Sequence, residues 1–121
     1  MSVLVVGERS EALLALLEAR GIPAKVAHAP LGDALADATV IVLAENQGEP
    51  LPTLAWEVLA AGRLLVAPRA EPAYGLEPGI DHLAGGSDRE LADMAALAAT
   101  FPAAVEPLVA MGRLMAQRRS A

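Results

Sequence analysis

Three short runs in this chain are apolar throughout: Val3–Val6 (VLVV), Val40–Leu43 (VIVL) and Leu64–Ala67 (LLVA). Each has the length of a strand, and none alternates apolar with polar residues. A strand of that kind has no side to offer to water, so it belongs in a sheet covered on both faces. Between the runs lie segments with helical spacing and with helix signals at their ends. Strands alternating with helices in this way imply a parallel sheet with helices packed on its faces.

The signals between the runs refine that outline. Ser10 reads as an N-cap, Glu11 to Arg20 as a helix with Leu13, Leu14, Leu16 and Leu17 on its face, and Gly21 as its stop. Ala24 to His28 reads as a second strand, and Pro30 to Ala36 as a turn or a short helix. Pro50 and Pro52 lead into a helix over Thr53 to Ala61, where a missing N–H costs little, and Gly62 stands where a left-handed C-terminal cap is wanted. Residues 69–86 are the least regular part. Ser87 and Glu90 have the register of a capping box, followed by an apolar face of Leu91, Met94, Ala98 and Phe101 that ends at Pro102. A last helix is expected from about Pro107 to Arg119, with Leu108, Met111 and Met115 at helical spacing. The fold class expected is α/β: a single Rossmann-like three-layer domain with a short parallel sheet of about four or five strands, flanked by helices, with C-terminal helices at the end.

Composition narrows the function. The chain has 121 residues, 55% hydrophobic but only 2% aromatic, so its core must be built from Ala, Leu and Val. A formal net charge of -6 and so few aromatics argue against a nucleic-acid or anionic-membrane surface. Cys is absent, which excludes disulfides, thiolate metal ligands and cysteine nucleophiles. His28 and His82 have no second ligand at metal spacing and read as hydrogen-bonded structural residues, so no metal is expected. No apolar stretch reaches the roughly 18 residues of a membrane span, and no basic, apolar leader opens the chain. A soluble cytoplasmic protein is the expectation.

In such sheets ligands bind outside the C-terminal ends of the strands. Gly7, the loop Ala44 to Pro52 and the loop Pro68 to Gly79 would emerge there. Arg9, Lys25, Arg63 and Arg69 are read as the cations near that edge, with Arg9 and Arg69 best placed to meet a phosphate. The first turn carries only Gly7, so the three-glycine dinucleotide fingerprint is missing. On the helix from Thr53 to Ala61, only Thr53 and Glu57 share a polar stripe. A carboxylate there either reaches water at the rim of the domain or waits for the hydroxyls of a ligand.

The segment from Val40 to Leu97, VIVLAENQGEPLPTLAWEVLAAGRLLVAPRAEPAYGLEPGIDHLAGGSDRELADMAAL, resembles the C-terminal, donor-binding half of GT-B glycosyltransferases. Glu49 and Glu57 match that family's paired glutamates, separated by seven residues. Ala60, Ala61, Gly62 and the strand LLVAP match its helix end and following strand, and GLEPGIDHLAGGSDREL its closing loop and helix start. The resemblance covers roughly half of the chain. It implies that Glu57 hydrogen-bonds the ribose of a nucleotide, that Glu49 faces the donor sugar, and that the backbone at Thr53 and Leu54 approaches the diphosphate. Arg9 is the nearest counterpart of the family's basic clamp. The departures are a Pro50-Leu51-Pro52-Thr53 stretch in place of a glycine loop, and no acceptor-binding half. No residue stands out as acid, base or nucleophile.

The function expected is therefore a nucleotide-sugar binding domain, alone or as part of a split or oligomeric glycosyltransferase. Its partner would be a second copy or a separate acceptor-domain protein. Two alternatives belong to other classes. One is a catalytically degenerate interaction or assembly module, using apolar surface at Trp56 and the last helix. The other is a dinucleotide-binding Rossmann-like module.

Overall fold

A computed structural model of the chain describes residues 3–28, 31–44, 52–70 and 75–120. Five parallel strands form one sheet in the order β2-β1-β3-β4-β5: β1 (Val3–Val6), β2 (Ala24–Ala27), β3 (Val40–Leu43), β4 (Leu64–Pro68) and β5 (Leu83–Gly85). Every residue of β1, β3 and β4 is buried, as strands without a polar side require. β2 and β5 lie at the edges, and β2 is correspondingly half exposed.

Alternate side chains of the central strands feed two separate cores. Val3, Val5, Val40, Val42, Leu64 and Val66 point to the face covered by α1 (Ser10–Ala19) and α3 (Asp88–Thr100). Leu4, Val6, Ile41, Leu43, Leu65 and Ala67 point to the other face, under the 3-10 helix Gly32–Leu35 and α2 (Thr53–Ala60). The last helix, α4 (Pro102–Ser120), serves both. Its first turns put Val105 into the α1/α3 core, and its later turns put Ala116 into the α2 core. To do so it leaves α3 at 106°. Among the described residues no single helix is long and apolar enough to cross a membrane.

The helix stops read from glycine hold. After α2, the Gly62 N–H donates to the Leu59 carbonyl (3.0 Å) and the Arg63 N–H to the Val58 carbonyl (3.3 Å), with Gly62 at a φ of 72°. These paired bonds close a helix on a left-handed residue. The same pair recurs after α1, from Gly21 and Ile22 to Glu18 and Leu17. At the head of α3, the Glu90 N–H donates to Ser87 Oγ (3.2 Å), and Glu90 Oε2 accepts from the Gly86 N–H (2.8 Å).

Several expectations need correction. Ser10 is the first residue of α1 rather than its cap: Arg9 holds the cap position, and Ser10 Oγ donates back to the Gly7 carbonyl. α4 starts at Pro102, not Pro107, because Pro102 already supplies the N1 proline. Pro107 then sits inside the helix, where it has no N–H to give the Ala103 carbonyl. Phe101 is not part of the α3 core face but stands 57% exposed beyond its end; that face is mostly alanine, Ala92, Ala95 and Ala98 below Leu91. The sheet has five strands, within the four or five expected, but the fifth, β5, lies in the irregular stretch before Ser87, where none was assigned. Trp56 is not free surface either: it is 5% exposed within the second core, with the Arg119 guanidinium over its ring at 4.7 Å.

One contact fixes how α4 lies. The turn before β5 is tied by Asp81, whose Oδ2 accepts the Glu77 N–H (2.9 Å) and whose Oδ1 accepts from His82 Nδ1 (2.5 Å). Both side chains are buried. The Asp81 carbonyl is thereby held under Gly112 of α4, so close that a Cβ there would lie 2.9 Å from it and 2.7 Å from Leu59 Cδ2. Replacing glycine by alanine inside a helix normally stabilises by about 1 kcal/mol. Here the methyl group would meet a pinned backbone oxygen. Gly112→Ala is expected to reverse the usual sign and destabilise by about 1–3 kcal/mol, read by urea denaturation. A stabilised Gly112→Ala would show that α4 does not pack this closely.

Candidate functional site

The strand order reverses between β1 and β3, the one place where successive connections leave the sheet in opposite directions. In open parallel sheets the crevice above such a switch point is the usual ligand site. Three helices begin on this C-terminal edge, and their amide ends are differently occupied. α3 is capped by Ser87 and carries Asp88 and Glu90 in its first turn. α1 has Glu11 in its first turn. α2 has neither a side-chain cap nor an acidic residue in its first turn. Its N-cap is Pro52, in extended conformation, and the first bond of the helix runs from the Ala55 N–H to the Pro52 carbonyl (2.9 Å). The N–H groups of Thr53 and Leu54 precede that bond and have no intrahelical acceptor. Together with the positive end of the helix dipole they favour an anion.

Glu57 lies one turn further along α2 on the same stripe as Thr53, and both are exposed. Side chains lean toward the N-terminus of their helix, so Glu57 leans over Thr53. Its carboxylate makes no hydrogen bond or ion pair with any described residue. It is thus not the buried carboxylate that an all-round apolar helix would have forced to find a partner. Ala55, Trp56, Val58 and Leu59 of α2 are buried, Leu54 is half-buried, and Ala60 is exposed at the helix end. Glu49 lies outside the described residues.

Arg9 is at the C-terminal edge, as expected, and beside the switch point, but its guanidinium is already engaged. Nε donates to the Ala44 carbonyl at the end of β3 (3.0 Å), and a terminal nitrogen lies 3.4 Å from Asp88 Oδ1 at the head of α3. The side chain therefore straps the first loop to β3 and α3. Its side chain remains 44% exposed, so an incoming anion could still reach the outer nitrogens. Arg63 does not belong to this edge: it precedes β4 and lies at the opposite, N-terminal end of the strands. Lys25 sits within β2, exposed at the side of the sheet. Arg69 follows β4 on the expected edge and is exposed, its N–H donating to the Gly85 carbonyl (2.9 Å). Among the described residues no group of three His, Asp or Glu side chains converges as a metal site.

No protein-family model matches the chain, and no curated protein matches it. Among solved structures it is similar to the pneumococcal O-GlcNAc transferase GtfA, crystallised in complex with UDP and GlcNAc. The match has a TM-score of 0.66 at 11% sequence identity and covers 96% of this chain but 32% of that one. At that identity the likeness shows a shared fold: the chain has the fold of a glycosyltransferase segment and spans about a third of that enzyme's length.

Proposed function

We propose that this chain is the nucleotide-sugar binding part of a GT-B type glycosyltransferase, the rest of which is a second copy or a separate acceptor-binding protein. The observation that carries it is the open head of α2, with no cap and no acidic residue, on the ligand-binding edge of a fold shared with a sugar transferase. The diphosphate of the donor would rest on the N–H groups of Thr53 and Leu54. Glu57, one turn on, would take the ribose hydroxyls. Glu49 would face the sugar, and the outer nitrogens of Arg9 would approach the phosphates from the first loop. In a transfer reaction the head of α2 would stabilise the leaving diphosphate. The chain's own residues provide binding and orientation; the acid or base is assigned to the partner.

A second reading, an assembly module that binds no nucleotide, is favoured by one observation. Leu97 and Phe101 are 53% and 57% exposed, and Met111 and Leu114 on α4 are exposed as well. Large apolar side chains kept in water often mark an interface. The first reading also calls for a partner, so oligomerisation alone does not separate them.

Calorimetric titration does. UDP- and GDP-sugars and NAD are titrated against the protein, Glu57→Ala and Thr53→Pro. Pro52 has a ψ of 165°, which a following proline tolerates, and proline at the first helical position removes only an N–H that the helix does not use. Thr53→Pro is therefore expected to leave the melting temperature unchanged and to weaken nucleotide-sugar binding about tenfold, the worth of one charge-assisted hydrogen bond. Glu57→Ala is expected to weaken it by a similar factor. Absence of saturable binding by any nucleotide-sugar overturns the proposal, and binding of NAD alone would indicate a dinucleotide module. For the second reading, light scattering is expected to show self-association that Phe101→Ser reduces; a monomer at high concentration would count against it.

A further inference from the structure

The opposite edge of the sheet carries a hollow that the donor site does not use. Because α4 leaves α3 at a right angle and passes under the N-terminal ends of β3 and β4, a cavity of about 430 Å³ opens between them. Its walls are mainly apolar: Val40 and Leu64 from the strand starts, Ala98 from α3, and Val105 and Val109 from α4. A volume of this size, apolar with a few polar groups, is what a small organic ligand needs.

The polar groups are specific. Arg63 lines the cavity, and its Nε is buried without a hydrogen-bond partner. A buried guanidinium N–H left unpaired costs free energy that a ligand acceptor would recover. The local fold places it there: the bond from the Arg63 N–H to the Val58 carbonyl closes α2 and turns the chain into β4 at this point. A second guanidinium is close by. Arg113 of α4 lies over Gly62, with Cδ and a terminal nitrogen 3.8 and 3.9 Å from where a Cβ would stand. It borders a groove of about 530 Å³ that continues the hollow through the shared residues Gly62, Glu106 and Val109. Two arginines and one exposed glutamate thus face this trough, in a chain whose formal net charge is -6.

We propose that this trough binds a small amphipathic anion: a carboxylate held by Arg63, with Arg113 beside it, and a short hydrocarbon body lying on Val40, Leu64 and Val109. Guanidinium groups bind carboxylates through paired, parallel N–H donors, which suits the free Nε of Arg63. Glu106 opposes the anion and sets the limit on its affinity. The site lies at the far end of the strands from the head of α2, so it is independent of the donor proposal.

The test is a titration of the whole chain with octanoate, followed by backbone amide shifts. Saturable shifts are expected at Val40, Leu64 and Val109 and not at Thr53 or Leu54. Octanol and inorganic phosphate, each lacking one half of the chemistry, should bind about tenfold more weakly or not at all. Arg63→Gln is expected to weaken octanoate about tenfold, and Glu106→Gln, at an exposed position, to tighten it several-fold. Should Arg63→Gln fail to fold, Glu106→Gln alone decides the sign of the site. Octanoate without saturable shifts, octanol binding equally well, or Glu106→Gln weakening the complex would each overturn the proposal.

Discussion

A sheet whose three central strands carry no polar side chain must be roofed on both sides, and this chain has few helices with which to do it. α1 and α3 cover one face; α2 and a single 3-10 turn leave the other incomplete. The remaining cover comes from α4, which starts against the first core and finishes in the second. Much that is particular to the molecule follows from that crossing. The right-angled break at Phe101 and Pro102 suits a residue before proline, which avoids helical backbone. Gly112 lets the helix pass over the Asp81 carbonyl, and Arg119 caps Trp56 at the far end. The hollow at the lower edge is the space the crossing leaves behind.

The same layout separates two kinds of polar chemistry. All strands run parallel, so the helices that follow strands begin at one edge and the strands themselves at the other. At the upper edge three helices begin, and the head of α2 is the one left without a counter-charge in its own first turn. At the lower edge α4 begins at Pro102 beside the hollow, and the cationic side chains there are Arg63 and Arg113. The two proposed anion sites would thus work by different means, by dipoles above and by guanidinium groups below.

What the residues disclosed in advance follows the range of the interactions. Apolar runs, the glycines at 21 and 62, and the pairing of Ser87 with Glu90 act within a few residues, and each was legible. The fifth strand was not, because three residues ending in a glycine carry too little pattern. Pro107 misled because a proline inside a helix and one at its start look alike without the preceding turn. Trp56 was expected to seek a partner molecule; its partner is this chain's own α4, distant in sequence. The site divides the same way. The open head of α2 could be read from Pro52 and the lack of acidic residues in the first turn after it. The strap from Arg9 to Ala44 spans 35 positions and leaves no local mark. Arg63 directly precedes β4, so in a parallel sheet its place at the N-terminal end of the strands was already legible, and placing it among the cations of the other edge overlooked that.

The crossing of α4 also bears on how the chain folds as it is made. Synthesis delivers β1 through β4 with α2 well before residue 116, so Trp56 and its neighbours emerge while one face of the sheet is still bare. Parallel strands already close slowly, since each pairing waits for the intervening crossover. Until α4 leaves the ribosome, the nascent domain presents a wet, apolar flank of the sort that chaperones hold and that neighbouring nascent chains can stick to.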